Sequence, residues 1–310
     1  MHIGIDIMGG DFAPEAIIKG TEMSLSLLNK DTTLHLFGTE DALELTGINR
    51  QIVKHVCSQQ IMMDEHPVKA LQQKPDNSLT RGFMALKKGE IHALCSAGHS
   101  GAVMVGSHQI LGMLPGIGRP CVVSVFPVPG DKEIIVLDVG ANVDAKPEVL
   151  VQFAVLGHLY AKAVKNITNP RVALLSTGTE SSKGNAAVQK AYQLLSENKD
   201  LNFVGNLEAR DFFDNAADVL VCDGFAGNIL LKYTEAFYKL IKLRNIDDPF
   251  MERFNYEQYG GTPLLGVEGN VLLAHGVSGP KAISNMLLEA ERVAQKGLSS
   301  IIKKEFSPQT

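Results

Sequence analysis

Short apolar runs alternate along the chain with longer segments in which apolar residues recur every three or four positions. The short runs predict strands at His2–Ile7, Thr33–Phe37, Ile52–Cys57, Ala93–Ser96, Cys121–Phe126, Ile134–Asp138, Val172–Ser176, Asp218–Cys222 and Val271–Ala274. The longer segments predict helices at Pro14–Leu28, Asn77–Lys88, Gly101–Leu114, Pro147–Lys165, Ala186–Ser196, Asn228–Leu243 and Pro280–Lys304. This alternation is typical of a mostly parallel sheet with helices on both faces, a three-layer α/β sandwich. We predict a single α/β domain over residues 1–310, and the pattern leaves any division into lobes open.

Glycine and polar residues follow six of these strands. The clusters are Asp6–Asp11, Ser96–Gly101, Asp138–Asn142, Ser176–Gly184, Asp223–Asn228 and His275–Ser278. Open α/β sheets bind ligands at the carboxyl ends of their strands, and glycine lets the backbone approach a ligand closely. The six clusters therefore predict a composite active site along one sheet edge.

Two of the loops have the features of anion sites. The Ser96–Gly101 loop leads into a helix, whose first N–H groups favour an anion; the alternative is an ordinary helix start capped by Ser100. The Gly178–Gly184 loop also precedes a helix and adds the charge of Lys183. It is not a Walker A loop, because Asn185 follows Gly184 where that motif continues with lysine.

Two further loops carry candidate catalytic groups. Asp223 is placed to orient a proton or a phosphate hydroxyl, or simply to cap the next helix. Asn228 and Lys232 lie four residues apart and share a helix face. His275 lies just before a helix that opens at Pro280, which suits a catalytic or phosphate contact; the alternative is a structural histidine.

Composition narrows the partners. The net charge is -5 and the pI is about 6.0, which provides no broad basic field for nucleic acid. The four cysteines lack metal-ligand spacing, so we expect buried free thiols. The acidic residues Asp6, Asp11 and Asp138 are not clustered in sequence, so we expect no metal and no cofactor. The chain opens directly into a strand and has no membrane-spanning stretch, so we expect a cytoplasmic protein.

In this order, the clusters resemble the bacterial phosphate acyltransferases of phospholipid synthesis. The motifs are D-x-M-G-G-D-x-A-P at Asp6–Pro14, S-A-G-x-x-G-A at Ser96–Ala102, D-V-G-A-N at Asp138–Asn142, G-T-E-x-x-K-G at Gly178–Gly184, D-G-F-x-G-N at Asp223–Asn228, Y-G-G-x-P-L-L-G-V at Tyr259–Val267 and H-G-x-S at His275–Ser278. The resemblance covers essentially the whole chain. The chain departs from the family pattern at His99, at Glu268 and in a shorter segment between Lys232 and Tyr259.

The resemblance implies a fold similar to that of phosphotransacetylases and of isocitrate and isopropylmalate dehydrogenases. It implies transfer of a long-chain acyl group from acyl-acyl carrier protein to inorganic phosphate, giving acyl phosphate for phospholipid synthesis. It also implies a homodimer with peripheral contact at the inner face of the cell membrane. Loops and resemblance together assign catalysis to Lys183, Asp223, Asn228 and His275. They assign phosphate or substrate contacts to Gly9, Gly10, Asp11, Ser96, Gly98, Ser100, Gly101, Asn142, Gly178, Ser182, Gly184, Lys232 and Ser278.

Three alternatives remain at this point. A short-chain phosphotransacetylase that uses coenzyme A would need the same loops. An NAD-linked decarboxylating dehydrogenase would need clustered metal-binding aspartates and arginines, which the sequence lacks. The third is a non-enzymatic scaffold for acyl carrier protein. Because that carrier is acidic, docking needs a local basic patch, and we predict one at Lys232, Lys239, Lys242, Arg244 and Arg253.

Overall fold

The computed structural model describes residues 1–48 and 51–307. Its strands are β1 His2–Asp6, β2 Thr33–Gly38, β3 Ile52–Val56, β4 Ala93–Ser96, β5 Cys121–Val128, β6 Lys132–Leu137, β7 Arg171–Ser176, β8 Asn202–Glu208, β9 Val219–Val221, β10 Thr262–Leu265 and β11 Asn270–Leu273. Its helices are α1 Glu15–Ser24, α2 Glu40–Glu44, α3 Pro67–Gln73, α4 Ser78–Lys87, α5 Ser100–Gly106, α6 Pro147–Ala163, α7 Ala186–Glu197, α8 Gly224–Leu243, α9 Pro249–Glu252, α10 Pro280–Gln295 and α11 Leu298–Phe306.

The chain divides into two compact units. Unit 1 comprises Met1–Leu114 and Tyr256–Ser299, and unit 2 runs from Pro115 to Asn255 and includes residues 300–307. The prediction of a single domain over residues 1–310 stays a prediction, and each unit is described here by itself.

Unit 1 contains strands in the order β3-β2-β1-β4-β11-β10, parallel except for the antiparallel β10–β11 pair. Alternate residues of the strands face opposite sides. Ile3 and Ile5 face a core shared with α1 and α10, whereas Gly4 faces Leu94 and the side covered by α4. Unit 1 is therefore a three-layer sandwich whose core lies on both sides of β1.

Unit 2 contains strands in the order β5-β6-β9-β7-β8, with only β5–β6 antiparallel among them. On one face α6 lies so close that a Cβ on Gly157 would be 2.6 Å from Val219. On the other face α8 contributes Leu230 and Leu231 to a core built on Val136 and Leu220. This unit is also three-layered, so the predicted fold class is confirmed.

Several boundaries differ from prediction. The prediction of one closing helix over Pro280–Lys304 is wrong. Gly297 adopts a φ of 63° and separates α10 from α11. The helix predicted from Asn228 begins at Gly224 instead. The helix after Ser96 begins at Ser100 and continues as a π-helical turn over Ser107–Leu111.

Candidate active site in two loop clusters

The first loop cluster lies at the carboxyl ends of β1, β4 and β11 in unit 1. Asp6 ends β1 and is 4% exposed. Its Oδ1 accepts a hydrogen bond from the Met8 N–H at 3.1 Å, and its Oδ2 accepts one from the Ser96 hydroxyl at 2.8 Å. Burial raises the pKa of the Asp6 carboxyl, and these bonds together with one from Ser78 oppose the rise. Asp6 thereby ties the loop after β1 to the loop after β4.

The two glycine loops touch each other. A Cβ on Gly9 would lie 2.6 Å from Asp6 Oδ2 and 2.7 Å from the Gly98 nitrogen, so only glycine fits. Ser96 also accepts the Gly98 N–H at 3.0 Å and is 2% exposed. Its hydroxyl is therefore committed to shaping the loop, and we place it as a positioning group.

The start of α5 differs from prediction at its cap. His99, and not Ser100, is the N-cap, with Nδ1 accepting the Ala102 N–H at 3.4 Å. The histidine that departs from the family pattern therefore caps the helix. Ser100 and Gly101 open the helix, where the first N–H groups have no intrahelical acceptor. Ser100 and Gly101 therefore stay predicted anion contacts.

The loop after β11, which contains His275, is the third loop of this cluster. The Asp11 N–H donates to the Gly276 carbonyl at 2.8 Å, which joins the first loop to the last. The His275 ring lies edge-on to Tyr256, with 5.4 Å between centroids. Ser278 is 1% exposed, and its Oγ has no hydrogen-bond partner among the described residues. A buried hydroxyl without a partner is unusual, so Ser278 stays a candidate contact.

The second loop cluster lies in unit 2 and is organised by Asp138. This carboxylate is fully buried. Its Oδ1 accepts the N–H groups of Val122, Gly140 and Ala141 at 3.0, 3.3 and 3.1 Å. Its Oδ2 accepts the backbone N–H of Asn142 at 2.6 Å and the side-chain Nδ2 at 2.9 Å. Five donors on one carboxylate fix the loop after β6 and the orientation of Asn142.

The N-terminus of α8 packs directly onto this loop. The Gly224 N–H donates to the Asn142 carbonyl at 2.7 Å, and a Cβ on Gly227 would come within 2.0 Å of the Asp138 carbonyl oxygen. Asn228 Nδ2 donates to the Val139 carbonyl at 3.2 Å. The structure therefore brings Asn142, Asp223 and Asn228 together.

Asp223 caps α8, with Oδ1 accepting the Ala226 N–H at 2.8 Å. This is the capping alternative that the sequence left open, and it leaves the second oxygen for a further contact. Lys232 lies one turn beyond Asn228, and its Nζ pairs with Glu235 at 2.9 Å. Its charge is thus shared with a neighbour on the helix.

The Gly178–Gly184 loop is the third loop of unit 2 that carries predicted site residues. Asn185 caps α7 by accepting the Val188 N–H at 2.9 Å, so Ser182 lies before the helix and not at its first turn. Gly178 approaches the Lys183 side chain, whose Cγ would be 2.7 Å from an added Cβ. The Ser176 Oγ beneath the loop is buried and has no partner among the described residues.

Asp6 and Asp138 are the positioning residues that site prediction missed. Asp6 is the last residue of β1 and Asp138 directly follows β6. Each precedes a glycine loop, and this signal is visible in the sequence. The four cysteines are buried and free, as predicted. Among residues 1–48 and 51–307, no group of three or more His, Cys, Asp or Glu side chains is arranged to hold a metal ion.

Comparison with solved structures defines the class of fold. A branched-chain phosphotransacylase from Enterococcus faecalis superposes with a TM-score of 0.67 at 14% identity, covering 95% of this chain and 99% of the other. The EutD phosphotransacetylase from Staphylococcus aureus gives 0.60 at 18%, covering 95% and 94%. A 4-hydroxythreonine-4-phosphate dehydrogenase from Klebsiella pneumoniae gives 0.59 at 12%, covering 95% and 99%. The chain has the α/β fold of these phosphotransacylases.

Sequence comparison defines the family. A family model described as "Fatty acid synthesis protein" matches residues 1–247. A phosphate acyltransferase from Halothermothrix orenii is 44% identical over 332 aligned positions, covering 99% of both chains. A phosphate acyltransferase from Staphylococcus aureus is 37% identical over 322 positions, covering 98% of this chain and 97% of its own. The chain belongs to the phosphate acyltransferase family, which confirms the predicted family and enzyme class.

Proposed function

We propose that this chain transfers a long-chain fatty acyl group from acyl-acyl carrier protein to inorganic phosphate and releases acyl phosphate for phospholipid synthesis. The observation that carries the proposal is the similarity to phosphate acyltransferases over 99% of the chain. Each unit by itself has glycine loops with the kinds of hydrogen-bond donor that such a reaction requires.

The reaction needs no covalent intermediate on the protein. A phosphate oxygen attacks the thioester carbonyl carbon, the C–O bond forms, and the C–S bond then breaks. The proton of hydrogen phosphate ends on the departing carrier thiolate, so atoms and charge balance. The protein has to hold a dianion against a carbonyl and stabilise the oxyanion, which is catalysis by positioning and electrostatics.

The described residues suit these tasks. In unit 1 the N–H groups that open α5 at Ser100 and Gly101 are candidate phosphate donors. In unit 2 the candidate phosphate contact is the charged side chain of Lys183. Asn228 donates one side-chain N–H to the Val139 carbonyl and has a second for the oxyanion. Asn142 donates both side-chain N–H groups, to Asp138 and to the Pro120 carbonyl, so it contributes by positioning the loop after β6. His275 and the second oxygen of Asp223 are the candidates for moving the proton.

The test uses purified protein with palmitoyl-acyl carrier protein and phosphate. We expect palmitoyl phosphate and free carrier protein only when phosphate is present, and unchanged rates with chelator. Turnover of acetyl-coenzyme A in place of the carrier thioester would select the short-chain phosphotransacetylase alternative. Carrier binding without turnover of either donor would select the scaffold.

Assembly and membrane contact belong to the same proposal. A stripe of exposed apolar side chains runs along α8: Phe225, Ile229, Tyr233, Phe237, Leu240 and Leu243. Such a stripe marks an interaction surface, and it supports a homodimer with peripheral membrane contact. No helix within the described ranges has the length and apolar character needed to cross a bilayer. Light scattering and flotation with anionic vesicles, comparing the wild-type protein with Leu240→Glu, separate the two roles.

A further inference from the structure

Four large apolar side chains are exposed on three chain segments that meet at Gly276 in unit 1. They are Phe12, Met62, Met63 and Val277, which are 56%, 49%, 42% and 51% exposed; we call them the Met63 patch. Phe12 follows Asp11, whose N–H binds the Gly276 carbonyl at 2.8 Å. Val277 follows Gly276 directly, and the Met63 methyl would be 3.0 Å from a Cβ placed on Gly276. Three separate chain segments thus bring apolar groups to one point of the candidate site.

Hydrogen bonds and an ion pair anchor the segment that carries Met62 and Met63. Glu65 Oε2 accepts the Met62 N–H at 2.7 Å and the Lys74 ammonium at 2.6 Å. Lys74 also donates to the Gln60 carbonyl at 2.8 Å, and Gln60 Nε2 donates to the Met8 carbonyl at 3.1 Å. The segment is anchored to the loop after β1 by its polar groups, while its large apolar side chains face outward. Apolar groups clustered in this way indicate a binding surface.

We propose that the Met63 patch binds the first methylenes of the acyl chain. This inference rests on the proposed function. The acyl chain is bonded to the reacting carbonyl carbon, and His275 is the candidate in unit 1 for moving the proton at that centre. Gly276 follows His275, and Met63 and Val277 lie beside Gly276, so the patch is close to where the first methylenes begin. Methionine is unbranched and polarizable, which suits a chain of variable conformation.

The rival apolar surface is the α8 stripe, which begins at Phe225 next to Asp223. It continues along a helix of 20 residues, a length of about 30 Å at 1.5 Å per residue. A stripe of that length matches a macromolecular or membrane surface. The Met63 patch is confined to three loops and matches the start of one acyl chain.

The experiment compares donors of different length. Acetyl- and palmitoyl-acyl carrier protein are tested with the wild-type protein and with the double variant Met63→Gln/Val277→Thr, whose side chains keep their size and lose apolar character. We expect kcat/KM for the palmitoyl donor to fall about tenfold relative to the acetyl donor, which has no methylene, as for roughly two methylenes no longer buried. The KM for phosphate stays unchanged. A merely structural role would lower both donors equally.

The controls separate the possible failures. Leu45→Gln removes a similarly exposed apolar side chain just after α2 and should leave the donor ratio unchanged. If the wild-type protein turns over acyl carrier thioesters and the double variant keeps its donor ratio, the Met63 patch does not bind the acyl chain, while the proposed function stands. A lower ratio in Phe225→Gln instead would place the chain on α8. A wild-type protein without turnover would sink both ideas.

A binding measurement avoids dependence on turnover. The chain contains no tryptophan, so Phe12→Trp introduces a single fluorescent reporter at the patch. A palmitoyl phosphonate probe should shift its emission to the blue and quench it to saturation. Leu45→Trp, the matched reporter just after α2, should not respond. Equal responses from both reporters would overturn the assignment.

Discussion

Asp6 and Asp138 show how single residues build the site. Asp6 ends β1 and Asp138 directly follows β6. Among the described residues, the hydrogen-bond donors to the two carboxylates are backbone N–H groups, serine hydroxyls and the Asn142 amide, with no lysine or arginine. A buried carboxylate is tolerated when several N–H groups point at it. These two residues therefore set the shape of the loops without needing to touch substrate.

The first prediction concerns Asp138→Asn. The amide nitrogen would face the N–H and Nδ2 donors of Asn142, so donor would meet donor inside the fold. We expect the free energy of unfolding to fall by roughly 1–3 kcal/mol, and kcat to fall at least tenfold because Asn142 loses its orientation. Urea unfolding and steady-state kinetics measure the two effects.

The matched control for that variant is Asp218→Asn. Asp218 forms an ion pair with Arg171 at 2.9 Å, which is structural and lies at the opposite ends of the strands from the loops. It should lose stability and keep its kcat. A normal kcat in Asp138→Asn would remove Asp138 from the positioning machinery.

The second prediction concerns Lys183→Ala. Lys183 is exposed in the Gly178–Gly184 loop, and a charge-assisted bond to phosphate contributes roughly 1.5–3 kcal/mol. We expect the KM for phosphate to rise about tenfold or more, with a lower kcat and an unchanged KM for the acyl donor. Lys190→Ala, on the following helix, is the control. If phosphate dependence stays normal, Lys183 has only a structural role.

The candidate site was predictable from sequence at the level of loops but not of individual contacts. Asp223, Asn142 and Asn228 come together because their loops follow neighbouring parallel strands, which the pattern indicates. The cap at His99 and the inward turn of Ser96 toward Asp6 depend on side-chain geometry between distant segments. A sequence carries no local signal for such contacts.

At the scale of elements, the strands that the sequence analysis did not predict, β8 and β10, have a weak pattern of apolar residues. Strand β8 contains Gly205 at a φ of 95°. Its pairing with β7 is irregular there, because Val172 pairs with Phe203 and Ala173 with Gly205, which leaves Val204 of β8 as an extra residue. Strand β10 has four residues and includes a proline, which is unfavourable in a strand interior. The long helices and the buried strands were predictable because their periodicity extends over many residues.

The basic face predicted on α8 is smaller in the structure. Lys242 pairs with Glu252 at 2.6 Å, and Arg253 lies 3.7 Å from Asp131. Lys232 is paired with Glu235. Three of the five cations are therefore partly neutralised by neighbours, which leaves Lys239 and Arg244 as the strongest candidates for contact with an acidic carrier.

The third prediction follows from that reduced face. Lys239→Glu/Arg244→Glu should raise the KM for acyl carrier protein about tenfold and weaken its salt dependence, because rim charges act mainly on encounter. The KM for phosphate should not change. Charge reversal at Lys199 and Lys296, exposed on other elements, is the control. Loss of vesicle binding with normal turnover would assign the face to membrane contact instead.

At the scale of the whole molecule, a partly buried row of histidines makes the free energy of unfolding depend on pH. In unit 1 the ring nitrogens of His2, His35 and His55 form a hydrogen-bonded row, with 2.9 Å at each step. Burial lowers the pKa of His35 to about 4, and the nearby His55, His2 and His92 contribute to the decrease. Burial also lowers the pKa of His55, while Glu90 opposes and Arg81 adds to that shift. The folded protein therefore holds His35 neutral at pH values where an unfolded histidine is charged.

The fourth prediction is a loss of stability in mild acid. Between pH 6.5 and about 4 the unfolded chain binds a proton at His35 that the folded protein does not bind. The free energy of unfolding therefore falls as pH falls through this window, by roughly 2–3 kcal/mol from this residue. His35→Gln should make the loss between pH 7 and pH 4.5 smaller by about 2 kcal/mol, measured by urea unfolding at both pH values. Because Asp6 is unchanged in this variant, its opposing contribution cancels in the comparison. His108→Gln, at an exposed histidine, should keep the wild-type dependence. Parallel curves for the wild-type protein and His35→Gln would show that the histidine row does not set the acid sensitivity.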